Sequence, residues 1–536
     1  MPVFLATLFV AGFCVVGEPL YGGNDDVGVA MVGAGFGEAV HPEAHLIWSH
    51  YGYGLILGAL SRLVGPYAHG WATIASIWFS LVLVIRAILS VQKVMVRWAV
   101  LLGCLGAVYL VTLLSSQYTI TAGVLFGAAI ANWLAGALEN RDNFVSLSAT
   151  VLALVLSYLI RPKSYLMGLV IILPAFLYYL VFRRKNLVPH TRILAFFLIL
   201  ISILGAITDK IAYASCPDWK FVPEYNEVRT AFNDFHRVPW REEAREYKQI
   251  GWTFNDWCMF GELYSRNPIY SFENISFLLK TVGVSQTTTA ISQLTDWFHY
   301  PLTDWSLLLT LVAQGGVFAL LGRQERALGV LFFLGEIVAV ALAGLTGRPA
   351  DEGAHVWFTA SAITFMCLCG SLAMAPLAKG SLRLKIGTIL IAIVGIVAAS
   401  INWFDHSLDV QNARSYRAWI EQNRDLLNGK VTVWGVGIAW EWLVTPTRIY
   451  PPFPDIKLAA IDDLNSTPVE AAMLRELGID DLAKELCTDP TIHLICPKDF
   501  ISTLTRFGEQ HYGIKPVFRE LAAREGSAIY GLERQN

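Results

Sequence analysis

Residues 69–114 read HGWATIASIWFSLVLVIRAILSVQKVMVRWAVLLGCLGAVYLVTLL, and this stretch decides the class of fold. Two apolar runs, 69–91 and 98–114, flank a short segment holding Lys93 and Arg97. Each run is near the roughly 20 residues an α-helix needs to cross the hydrocarbon core of a bilayer. Short cytoplasmic loops collect Lys and Arg, so the segment between the runs is placed in the cytoplasm.

Outward from this hairpin the pattern repeats. Further runs lie at 2–17, 118–138, 145–160, 164–182, 193–213, 305–321, 327–346, 355–376 and 386–403, which gives about eleven crossings. Arg141, then Arg183, Arg184, Lys185 and Arg192, then Arg323 and Arg326, then Lys379, Arg383 and Lys385 fall on the same side as Lys93. The three largest polar regions, 18–68, 214–304 and 404–536, then share the outer face of a cytoplasmic membrane. Of 536 residues, 55% are hydrophobic and 15% charged, against roughly 25% charged in a soluble protein. A water-soluble fold is excluded, and no nucleic-acid partner is expected. For the first run a signal peptide is the competing reading, but it lacks a basic start.

The expected fold is therefore a polytopic α-helical membrane domain over 1–403, with outer surface helices in 18–68 and an outer helical insert at 214–304. A C-terminal extracytoplasmic α/β domain over 404–536 completes it. In that tail, strands at 430–436, 456–461, 492–496 and 528–532 alternate with helices at 468–477 and 499–510. Within it, Gly435-Val436-Gly437 has too few glycines for a nucleotide-binding turn. In the first loop, Ile47 to Val64 has helical apolar spacing and stops at Gly65-Pro66, the pattern of an amphipathic helix on the membrane surface. In and just after the insert, six tryptophans, Trp219, Trp240, Trp252, Trp257, Trp297 and Trp305, among charges read as a cap near the interface. Cys216 with Cys258, and Cys487 with Cys496, are expected disulfides, since an oxidising compartment permits them. Glu336 is a lone acid inside an apolar run and is costly there.

The residues that carry chemistry start with Asp25 and Asp26 in Gly22-Gly23-Asn24-Asp25-Asp26-Val27-Gly28, read as a glycine-rich turn past the first run. One of them can act as a general base, taking a proton from an acceptor hydroxyl as it attacks an anomeric carbon. Asp25 is placed first and Asp26 orients; acids that merely solvate a turn are the plain alternative. A leaving polyprenyl phosphate needs positive charge at the membrane surface. Arg161 and Lys163, delivered to the outer face by the run ending at Ile160, and Arg348 in Thr346-Gly347-Arg348-Pro349 are the candidates. His41, Glu43, His45 and His50 are read as a polar wall for substrate. A His-x-Glu-x-His metal site is the competing reading, and no cofactor is expected.

With Asn24-Asp25-Asp26-Val27, and Trp48 to Gly65 as a second surface helix, the sequence resembles the GT-C superfamily of integral-membrane glycosyltransferases, in a mannosyltransferase-like layout. The resemblance implies that Asp25 or Asp26 is the catalytic acid and that Arg161 and Arg348 help bind the carrier phosphate. It implies a polyprenyl-phosphate-linked sugar as donor and a glycan, lipid or protein as acceptor. The sequence departs from the pattern in having Asp-Asp where Asp-Glu is common, and in its long outer insert. Alternatives are an O-antigen polymerase or ligase, a transporter or flippase for lipid-linked sugars, and a non-catalytic scaffold. The tail segment Asp463 to Pro468 looks like the tails of bacterial membrane proteins of the same layout and adds no chemistry.

Overall fold

The computed structural model describes residues 1–138, 144–182, 188–349, 353–377, 381–428, 431–435, 438–451 and 458–533. Arg141, Arg183, Arg184, Lys185, Lys379, Val436 and Gly437 lie outside the described residues.

Among the described residues, seven helices are long and apolar enough to cross a membrane, and an eighth span forms if a helix pair bent by 87° at Asp304 counts as one. Shorter apolar helices at Pro2–Val16, Phe144–Ile160 and Pro162–Tyr178 occupy the other expected positions. The architecture is thus a multi-pass helical bundle, although length and apolarity alone mark fewer spans than eleven. Tyr118–Gly136 is buried on all sides and forms the bundle axis. Arg192–Ser215 lies at the rim and exposes Phe196, Ile199, Ile203, Ile207 and Ile211, a face suited to lipid.

Lipid tails are as apolar as leucine, so helices in a bilayer associate through close contact rather than through escape from water. Glycines supply that contact. A Cβ on Gly106 would stand 1.9 Å from the Gly395 carbonyl oxygen, and one on Gly335 would stand 2.2 Å from that of Ile171. The first of these crossings falls on a π-helical turn, Leu105–Tyr109, which interrupts the helix through Val94–Leu114. Glu336 has a partner after all: Ser361 Oγ donates to its Oε1 at 2.5 Å, while Gln314 Nε2 donates to the Ser361 carbonyl.

At one end of the bundle the three polar regions meet. The first loop begins with β1, Leu20–Tyr21, which pairs in parallel with β2, Ser115–Ser116. The expected glycine-rich turn at 22–28 is instead the start of a helix, Asn24–Ala34. Two acids in its first turn suit the positive end of the helix dipole. Asn24 turns its amide onto the tail, donating to Ile438 O and accepting from Trp440 N–H. The next helix runs Tyr51–Val64 and is capped by His50, starting four residues after Ile47. It stops at Gly65, whose φ of 62° is a left-handed conformation open to glycine.

The insert is a group of short helices between Val222 and Thr303. Its aromatic core, including Phe232, Trp252, Phe260 and Tyr270, is continuous with the core of the tail. The tail leaves the bundle on one helix, Leu382–Gln422, which contains position 404. Its 41 residues extend for about 60 Å, twice the hydrocarbon thickness. The tail sheet comprises β3 (Val431–Trp434), β4 (Leu458–Ala460), β5 (Ile492–Cys496), β6 (Phe518–Arg524) and β7 (Ser527–Leu532) in the order β4-β3-β5-β7-β6. β4, β3 and β5 are parallel, while β7 and β6 are antiparallel. The sequence reading omitted β6, half-exposed and charged, and the helix Leu482–Thr488.

The expected disulfides are corrected. All eight cysteines are free. Cys216 packs on the bundle core, whereas Cys258 lies in a helix of the insert. Cys487 faces Gly508, and Cys496 ends β5.

Candidate active site

The acid pair sits where the bundle, the first loop and the cap converge, and its two members have different surroundings. Asp26 is wholly buried. Its Oδ1 accepts the Tyr118 main-chain N–H at 2.9 Å and lies 3.3 Å from His69 Nε2. The other imidazole nitrogen, Nδ1, lies 3.0 Å from Tyr53 Oη, and the Tyr21 ring stacks on the imidazole. Among the described residues Asp26 Oδ2 has no hydrogen-bond partner. Burial raises the Asp26 carboxyl above the ordinary range, against the pull of His69 and Tyr118.

Asp25 is exposed to solvent. Tyr118 Oη donates to its Oδ2 at 3.3 Å. Its depth among protein atoms, and next the charge of Asp463, push its carboxyl up to about 7, while Arg161 pulls the other way. A carboxyl poised near neutrality can take up and release a proton at working pH.

Charges from separate parts of the chain surround this carboxyl. Arg161 lies over the Tyr118 ring at 5.0 Å and donates to the Trp48 carbonyl. Lys163, also exposed, feels Arg161, Arg348, Asp234 and Glu227. Asp234 in the insert feels Arg229, Asp463, Arg348 and Lys163. Arg229 is itself buried and holds Asp463 at 2.5 Å. Three of the expected cations and the expected base therefore belong to one electrostatic cluster.

The other expected site residues are engaged elsewhere. Glu43 Oε1 accepts His45 Nδ1–H at 2.8 Å, and His45 Nε2 lies 3.3 Å from Ala212 O, with its ring stacked on Trp219. His50 caps its helix by accepting the Gly52 N–H, and its Nε2 lies 2.9 Å from Gly205 O. Both imidazoles tie the first loop to the helix Val188–Ser215. His41 is exposed at the surface. Of the expected substrate wall, the two buried histidines are thus engaged with backbone carbonyls of that helix. Among the described residues no group of three His, Cys, Asp or Glu side chains is arranged to hold a metal.

The sequence reading missed His69, Tyr118, Arg229, Asp234 and Asp463. It also missed a second acidic contact, Glu38 against Asp462 beside Glu470, which joins the first loop to the tail. Tyr21 and Gly22 also line an open pocket of about 330 Å³ whose wall includes Asp405, His406, Asp409 and Glu441. Of all these, His69 at the head of an apolar run carried the one signal available in sequence.

Fold and site together define a multi-pass membrane protein with an acid-and-cation cluster where a bundle, an insert of helices and a small sheet meet. No family model and no curated protein matches the sequence. Two crystal structures of ArnT from Cupriavidus metallidurans are similar to it. The form bound to undecaprenyl phosphate is 12% identical over 99% of this chain and 97% of that chain, with a TM-score of 0.43. The apo form is 13% identical over 98% and 97%, with a TM-score of 0.42. Backbone overlap at this level leaves function to be read from the residues of the charge cluster.

Proposed function

We propose that the chain is a glycosyltransferase that moves a sugar from a polyprenyl-phosphate donor to a glycan, lipid-linked glycan or protein acceptor at the outer face of the cytoplasmic membrane. The single observation that carries this reading is the Asp25 carboxyl, raised to about 7, in one charge cluster with Arg161 and, through it, Lys163 and Arg348. The acceptor oxygen attacks the anomeric carbon and gives its proton to Asp25. The bond from that carbon to the phosphate oxygen breaks, and its electron pair leaves with the carrier phosphate. Arg161, Lys163 and Arg348 offset that growing negative charge. Asp26 is bound to His69 and to the Tyr118 N–H, and it fixes the helix start that aims Asp25. The chemistry calls on no metal or cofactor.

The test is a panel of polyprenyl-phosphate sugars presented to the purified protein, with release of the free carrier followed over time. Release from at least one member in the presence of an acceptor supports the reading. A protein that binds the carrier and releases none from any donor would count against it.

A further inference from the structure

The helix Gln286–Thr303 ends at Asp304, where the chain turns by 87° into the apolar helix Trp305–Leu320. At about 100° per residue its side chains divide into three separate sectors, each covering roughly a third of the circumference. Thr289, Ala290, Trp297 and Pro301 are buried against the protein. Ser292, Asp296, His299 and Thr303 form an exposed polar stripe. Ile291, Leu294, Phe298 and Leu302 form an exposed apolar stripe, with fractional exposures of 64%, 43%, 43% and 64%.

A helix between protein and water needs two sectors, whereas one at the edge of a bilayer needs a third. The apolar stripe is continuous with the membrane surface, because the chain enters the bundle immediately beyond it, at the exposed Trp305. Tryptophan favours that depth.

The inward sector grips the loop that carries Arg348. Trp297 Nε1 donates to the Arg348 carbonyl at 2.8 Å. The Gln293 amide nitrogen, oriented by its partners, donates to the carbonyls of Arg348 and Gly347 at 3.0 and 3.1 Å. The indole fills the space beside Gly344 and Gly353, and its own backbone carbonyl accepts from Trp357 Nε1 at 2.9 Å. Gly347, at φ 83°, makes the turn this grip requires.

We propose that Gln286–Thr303 is an arm seated on the outer bilayer surface and that Trp297 is a positioning residue, which holds Arg348 at headgroup level for a lipid phosphate. The second half of this inference rests on the phosphate-binding role given to Arg348 above.

Two measurements on the full chain in nanodiscs test it. A photo-crosslinking phenylalanine analogue placed at Leu294 or Phe298 is expected to yield lipid adducts, and one placed at Asp296 is not. Equal yields at all three positions, or none at Leu294 and Phe298, would overturn the seating. Binding of polyprenyl phosphate alone is then compared in Trp297→Phe, which keeps a ring but loses the donor. The expected Kd is about 5–10-fold weaker, with no further loss when Trp297→Phe is added to Arg348→Ala and full additivity with Lys163→Ala. Unchanged binding in Trp297→Phe while Arg348→Ala weakens it would overturn the arm's role and leave the proposed function standing. Unchanged binding in Arg348→Ala would overturn both the coupling and the phosphate role of Arg348, while the lipid adducts still decide the seating.

Discussion

Asp463, held at 2.5 Å by Arg229 in the cap, adds its charge to the surroundings of Asp25 in the first loop and raises that carboxyl's affinity for a proton. The tail therefore reaches Asp25 electrostatically, and the proposed base is tuned by residues from three separate segments.

This tuning predicts a pH profile. A base must be deprotonated to act, so kcat/KM should rise with pH and level off above about 7, the value reached by Asp25. Asp463→Asn removes a charge that raises Asp25 and should move the rising limb to lower pH by about 0.5–1 unit. Arg161→Gln removes a charge that lowers it and should move the limb up. Rate profiles of the three proteins check the signs, and shifts of both variants in one direction would contradict the account.

The two acids should separate by stability. Asp26 is buried against His69 and the Tyr118 N–H, and removing it strands these buried groups without a partner, which costs about 1–3 kcal/mol. Asp26→Ala should lower the melting temperature along with activity. Asp25→Asn should melt at or above the wild type at pH 8, because a carboxyl with a raised folded pKa costs stability once it is ionised. Thermal melts of both variants in one detergent make the comparison.

A third expectation concerns Glu38 and Asp462. Burial, and then the adjoining Asp462, hold Glu38 well above the usual carboxylate range, while burial and Asp463 push Asp462 up to about 6. The folded state binds a proton here that the unfolded chain releases near pH 4, so stability should decline as pH rises from about 4 through 6. Glu38→Gln should flatten that slope, as read from melting temperatures between pH 5 and 8. An unchanged slope would show that the pair shares no proton.

Gly70 gives a packing test. A Cβ there would stand 1.9 Å from the Pro446 carbonyl oxygen, at the seam between the tail and the residue after His69. Gly70→Ala should cost about 1–3 kcal/mol and reduce activity through His69. Gly261→Ala, with no atom within 4 Å of the added carbon, serves as the control for melting.

Much of the bundle was legible because hydrophobic runs near 20 residues have few other uses. The cations were legible for the same reason: Arg161, Lys163 and Arg348 stand at the ends of such runs, where charge is conspicuous. Asp25 and Asp26 were visible as acids, but not as the first turn of a helix, because two glycines precede them and no side chain caps the helix start, which Asn24 instead ties to the tail. Asp463, Asp234 and Arg229 were hidden, since each is an ordinary polar residue in a polar segment and gains meaning through contacts across the fold. His45 and His50 carried a structural role that their spacing did not show. Their spacing suggested a ligand wall, while their nitrogens are paired with the backbone of a distant helix and with groups of their own loop.

The most direct test of the central claim is a single-turnover assay of Asp25→Asn beside the wild type, with a polyprenyl-phosphate sugar already bound. The account predicts that the variant binds the donor as the wild type does but releases carrier about 10²–10⁴-fold more slowly. Carrier release at the wild-type rate in Asp25→Asn would contradict it.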